Sequence, residues 1–100
     1  LVVSDRTPTA AAAQPLVDAL MRLPAGSAAL VGVNRENVFA IMHGLGVPLA
    51  GAARACAPGA TCVPCVDVSC FPGGPGGDFD HLWTLTIDAA GGLHLTDRRY

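Results

Sequence analysis

The clearest periodicity in the chain lies near its end. Trp83, Leu85 and Ile87 alternate with Leu82, Thr84 and Thr86, the two-residue period of a half-buried strand. Asp88-Ala-Ala-Gly-Gly92 supplies a turn with glycines available for positive φ, and Leu93 to Thr96 form a return strand. The pattern predicts a β-hairpin of Leu82–Asp88 and Leu93–Arg98. It places Trp83, Leu85 and Ile87 on the core face and turns His94 outward.

Helical spacing occurs twice. Leu16, Ala19, Leu20 and Leu23 fall at i, i+3, i+4 and i+7, which predicts a helix burying Leu16, Leu20 and Leu23. Asp18 and Arg22 then form an exposed i,i+4 pair. Pro15 either opens this helix near its first position or kinks it, and Pro24-Ala-Gly26 ends it. Val38, Ile41, Met42 and Leu45 form a second stripe, with Asn34 as its cap and Gly44 and Gly46 at its end. Leu49 to Ala55 reads as a further short helix after Pro48.

Leu1-Val2-Val3 and Ala28–Val33 read as short strands, the second covered on both faces. Thr61–Phe71, rich in β-branched residues and cysteine, reads as another strand, and Pro72–Gly77 as a linker. The order β-α-β-α-(α)-β followed by a hairpin predicts an α/β or α+β fold. Its expected form is a small single sheet with two or three helices packed on it and a C-terminal β-hairpin.

Composition narrows the classes. The 100 residues are enough for a single domain, 1–100. The chain begins at Leu1 without methionine or a signal-peptide pattern, so it reads as a domain excised from a longer protein. With 51% hydrophobic and 14% charged residues it is not disordered. No apolar run approaches the ~18 residues of a membrane-spanning helix. A net charge of -2 with scattered bases gives no footprint for nucleic acid. All six bases are arginine, so lysine Schiff-base chemistry and the phosphate-loop lysine are both excluded.

Four cysteines, Cys56, Cys62, Cys65 and Cys70, crowd into fifteen positions. Disulfides in an oxidising compartment are the leading reading. Reduced, buried cysteines and a zinc or iron–sulfur site are the alternatives. The gaps approach a plant-type ferredoxin run, but the first is one residue too long and the fourth cysteine follows too soon. Cys62-Val-Pro-Cys65 is also a redox-type C-x-x-C, although its surroundings read as a strand and not as a helix N-terminus. A strand rises about 3.3 Å per residue, which would separate the Cα atoms of Cys65 and Cys70 by ~16 Å. A disulfide needs them within roughly 7 Å. Cys56–Cys62 is therefore the expected bond, closed by the Pro58-Gly59 turn. Cys65–Cys70 is open, because it requires the β-branched run to bend.

Other chemistry is thin. Asp78-Phe79-Asp80-His81 places three potential ligands within four residues, but no second ligand group accompanies them, and a solvated turn before the hairpin explains them. His43 at a helix end suits the helix dipole better than it suits a base for one of the thiols. A Cys–His nucleophilic pair is formally available, yet four clustered thiols look structural.

The stretch from Leu1 to Val33 resembles part of the periplasmic domain of TolR/ExbD-type biopolymer-transport proteins. The residues carrying the resemblance are Val2-Val3, Asp5, Pro8, the helix Leu16 to Leu23, and Ala29-Leu30-Val31-Gly32-Val33. It implies a sheet-and-helix module of the cell envelope that acts by protein contacts. The cysteine cluster and final hairpin have no counterpart in that pattern.

Together these features predict a non-enzymatic protein-interaction or structural domain of an extracytoplasmic, cell-envelope protein, periplasmic or secreted. It is held by disulfides, works with a protein partner and needs no cofactor. The alternative is a thiol-based redox or metal-binding module using Cys56, Cys62, Cys65 and Cys70, with a small hydrolase as a third class.

Overall fold

A computed structural model of the chain describes residues 2–5, 13–51, 56–57, 59–66, 68–73, 77 and 79–100. Strand β1 (Val2–Asp5) is followed by helix α1 (Ala13–Met21), strand β2 (Leu30–Val33), helix α2 (Arg35–Gly44), a short 3-10 turn (Val68–Cys70), and strands β3 (His81–Ile87) and β4 (Leu93–Arg99). β1 and β2 pair in parallel, Val2 opposite Leu30 and Asp5 opposite Val33. Parallel neighbours need a crossover, and α1 provides it. β3 and β4 form the antiparallel hairpin, with Trp83 opposite Asp97 and Ile87 opposite Leu93.

The α/β character, the two helices and the C-terminal hairpin are as the patterning predicts. The expected single sheet is instead two two-stranded sheets. The cause lies in residues 61–71, which do not form the predicted strand. Val63 makes one parallel bridge to Leu49, and the chain then bends through the 3-10 turn. Without a strand there, nothing among the described residues joins β2 to the hairpin. Leu49 sits in that bridge rather than in a helix, and residues 52–55 of the expected third helix lie outside the described ones.

α1 starts three residues earlier than its stripe. Pro15 falls in its first turn, where an amide has no intrahelical acceptor anyway. By sequence, residues 4–9 read as a turn in which Asp5 and Pro8 are loop formers and Thr7 or Thr9 can cap the helix; Thr7, Pro8 and Thr9 lie outside the described residues, and Asp5 ends β1. Leu16 is buried as expected and Val17 joins it, while Leu20 and Leu23 are half-buried. Asp18 and Arg22 are exposed. Asp18 accepts a hydrogen bond from Gln14 Nε2 at 2.9 Å, one turn back, in place of the expected ion pair with Arg22. β2 is covered on one face only: Val31 and Val33 pack inward, while Leu30 and Gly32 face out.

α2 is the centre of the molecule. Asn34 holds the capping position in extended backbone without a side-chain cap bond. At the other end, the Gly46 N–H donates to His43 O and the Val47 N–H to Met42 O, with Gly46 at φ +109°. This is the Schellman arrangement, and its usual apolar contact is present because Met42 and Val47 share a core cluster. One flank of α2 contributes Phe39 and Met42 to a core with Val47, Val63 and Phe71, against which Trp83, Leu85, Leu93 and Leu95 pack. The other flank contributes Ile41 to a core with Leu16 and Val17.

The hairpin's inward face is Trp83 and Leu85. Ile87, predicted to share it, is 47% exposed and lies outside the packed cluster, although Leu93 directly opposite packs against that cluster. Phe39, Phe71 and Trp83 form an aromatic triangle with centroids 5.6 to 5.9 Å apart, and both Trp83 contacts are edge-on.

Candidate functional site

The cysteine segment folds around Val63, which is fully buried. Its N–H donates to Pro48 O at 2.8 Å, and its carbonyl accepts from the Ala50 N–H at 2.7 Å. Cys56 bonds Cys62 and Cys65 bonds Cys70, each pair with Cα atoms 6.0 Å apart. The first loop closes through Gly59 at φ +77°, with the Ala60 N–H donating to Ala57 O; Pro58 lies outside the described residues. The second closes through the 3-10 turn. Covalent closure there overrides the strand preference of the β-branched residues, which an extended backbone could not reconcile with a 6.0 Å separation.

All four cysteines are thus paired. Cys62 and Cys65, the two ends of the C-x-x-C, belong to different bridges. In this form no thiolate is offered to a metal, to a substrate carbonyl or to a partner's disulfide, because all three require the deprotonated thiol.

The polar residues after the glycine linker close the open end of the hairpin. Asp80 accepts two bonds from Arg99 Nη2, at 2.7 and 2.9 Å, and one from Nε at 3.0 Å. That guanidinium, opposed by partial desolvation, holds the Asp80 carboxyl below the usual range. His81 Nδ1 donates to Asp97 at 2.8 Å. Tyr100 adds a bond from its hydroxyl to Phe79 O at 3.0 Å and one from its N–H to Asp80 O. Asp78 lies outside the described residues. Among the described residues no group of three histidine, cysteine or acidic side chains could hold a metal ion.

The other two histidines stand in separate local settings. His43 Nδ1 donates to Val47 O at 3.0 Å at the end of α2. His94 points outward and approaches Asp88 at 3.5 Å. Asp88 accepts from the N–H groups of Gly92 and Ala90, which hold its carboxyl below the usual range and fix the hairpin turn. Each imidazole therefore has a structural partner.

The feature that sequence reasoning missed is a groove of about 1560 Å³ between β2 and β3. Its floor is the α2 stripe Val38, Ile41, Met42 and Leu45, and every residue of β2 and β3 lines its walls. Met21, Leu30, Phe79, Leu82, Ile87 and Tyr100, all exposed, line it as well. The signal existed in the sequence as apolar residues at outward strand positions, Leu30 and Leu82. Single exposed apolar residues are common, however, and only the fold brings these together.

Comparison of the chain with protein-family models, with curated proteins and with solved structures finds no match.

Proposed function

We propose that this is a non-catalytic protein-interaction module of an extracytoplasmic protein, periplasmic or secreted, that binds its partner through the groove between β2 and β3. One observation carries the reading: six of the seven large hydrophobic residues exposed among the described ones line that groove. Scattered apolar residues need no explanation, but a concentrated patch on a small domain marks a binding surface. The two disulfides support that compartment, because such bonds persist in oxidising surroundings and are rare in the cytosol. The envelope setting agrees with the resemblance of residues 1–33 to TolR/ExbD-type domains, whose strand–helix–strand order is that of β1, α1 and β2.

Site-specific photo-crosslinking in the native cell tests it. A benzophenone side chain in place of Leu82 is expected to give a discrete adduct with an extracytoplasmic protein. The same probe in place of His94, outward on the far strand of the hairpin, is expected to give none. No adduct from Leu82, or equal adducts from both positions, contradicts the reading.

A further inference from the structure

The groove's walls are strand edges. β2 is bonded on one side to β1, and β3 on one side to β4; among the described residues neither carries a strand on its other side. An edge of seven residues, His-Leu-Trp-Thr-Leu-Thr-Ile, has no lysine, arginine, carboxylate, proline or glycine to discourage pairing, the devices by which natural edges are protected. Beneath both edges lies the apolar stripe of α2. A strand laid between them would continue both sheets into one and bury its own apolar face on Val38, Ile41, Met42 and Leu45.

The ends of the groove differ in charge. Arg35 lies two residues beyond the end of β2, and its guanidinium carbon is 5.8 Å from the ring centroid of Phe79, two residues before β3. Hence β2 ends and β3 begins at the same mouth, and the two edges run in opposite directions. Arg35 Nε is buried there with no hydrogen-bond partner among the described residues. Asp88 stands at the opposite end. A strand antiparallel to β3, the stronger pairing on the longer edge, brings its C-terminal end to Arg35 and its N-terminal end to Asp88.

Building on the interaction reading, we propose that the groove receives one extended segment of a partner protein, antiparallel to β3 and parallel to β2. Alternate apolar side chains of that segment face α2, and an acidic residue at its C-terminal end meets Arg35. This is strand addition, in which backbone bonds give affinity and alternate side chains give selectivity. A single strand satisfies both edges at once. A second copy of this chain offers, among the described residues, only strands already bonded along one side.

The test uses a synthetic probe with blocked termini, Lys-Val-Thr-Val-Thr-Val-Glu, and its charge-swapped counterpart Glu-Val-Thr-Val-Thr-Val-Lys. With the oxidised domain, the first is expected to bind saturably and to slow amide exchange in both Leu30–Val33 and His81–Ile87. The charge-swapped probe is expected to bind roughly tenfold more weakly, about 1.4 kcal/mol. Leu82→Lys, a change at an exposed position, is expected to weaken the first probe while leaving the far-ultraviolet spectrum unchanged. No binding, exchange slowed on one strand only, or occupation of the groove by self-association in sedimentation overturns strand addition. Equal binding of both probes overturns the assigned direction. These outcomes are separate from the Leu82 crosslink: an adduct from Leu82 together with failure of both probes leaves an interaction surface of another kind.

Discussion

His81 lies flat against Trp83, their ring centroids 5.0 Å apart and their planes 7° from parallel, while His81 Nδ1 donates to Asp97, the residue directly opposite Trp83. The imidazole thereby links the open end of the hairpin to the aromatic triangle of the core. Trp83 makes its other ring contacts with Phe39 of α2 and with Phe71, which follows the second disulfide. One side chain thus joins the helix, the cysteine segment and the hairpin.

Trp83→Ala should therefore loosen all three. A fully buried tryptophan costs about 3–5 kcal/mol on truncation. Trp83 is half-buried, so about 2–3 kcal/mol is expected in urea denaturation. A loss below about 1 kcal/mol would show that the triangle is not a core contact.

Gly44 is a close-approach glycine. A Cβ built there meets Val17 Cγ2 at 2.8 Å and Cγ1 at 3.3 Å, and Val17 is itself buried between α1 and α2. Helix propensity alone favours alanine over glycine by about 1 kcal/mol. Overpacking of a fixed neighbour costs about 1–3 kcal/mol. Gly44→Ala is expected to destabilise; a rise in melting temperature would mean that α1 moves away freely.

The two bridges close short loops, separated by six and five positions in sequence. Chain-entropy reasoning gives about 2 kcal/mol for loops of this size. The paired variants Cys56→Ser with Cys62→Ser, and Cys65→Ser with Cys70→Ser, should each lose about that much. Cys65 is buried and precedes the bend that places Phe71, so the second pair should also perturb the tryptophan fluorescence of Trp83. Equal fluorescence in both variants would contradict that coupling.

Asp80 and Asp88 both titrate below the ordinary aspartate value of about 3.9. A carboxyl whose pKa is depressed by folding stabilises the fold above its unfolded pKa and loses that contribution as the pH falls through the folded value. The effect of these exposed groups is small and confined to the acid range. Hairpin amide protection, corrected for the intrinsic pH dependence of exchange, should fall below about pH 4 and stay level above it. Asp80→Asn should flatten part of the acid dependence, and an unchanged profile would contradict the role of the Arg99 pair.

Much of this arrangement was legible from local pattern. The hairpin and its turn follow from alternation between Leu82 and Ile87 and from the glycines after Asp88. The first bridge follows from the Pro58-Gly59 turn between Cys56 and Cys62. What local pattern misjudged was decided at a distance. Thr61–Phe71 has strand-forming residues, but the Cys65–Cys70 bond bends it, and the loss of that strand leaves two sheets in place of one. Ile87 keeps the predicted alternation and still lies outside the core, while Leu93 directly opposite packs against it, a difference that alternation along one strand does not carry. The groove was invisible for the same reason. Leu30 is far in sequence from Leu82 and Ile87, and only the packing of both sheets beside α2 gathers them.

The most direct measurement is non-reducing peptide mapping, with thiol counting and a metal assay, of the protein taken from its native source. No free thiol, no bound zinc or iron, and two cross-linked peptides joining Cys56 to Cys62 and Cys65 to Cys70 are expected. Four free thiols, or stoichiometric zinc or iron, would contradict the disulfide-held domain and the oxidising compartment together.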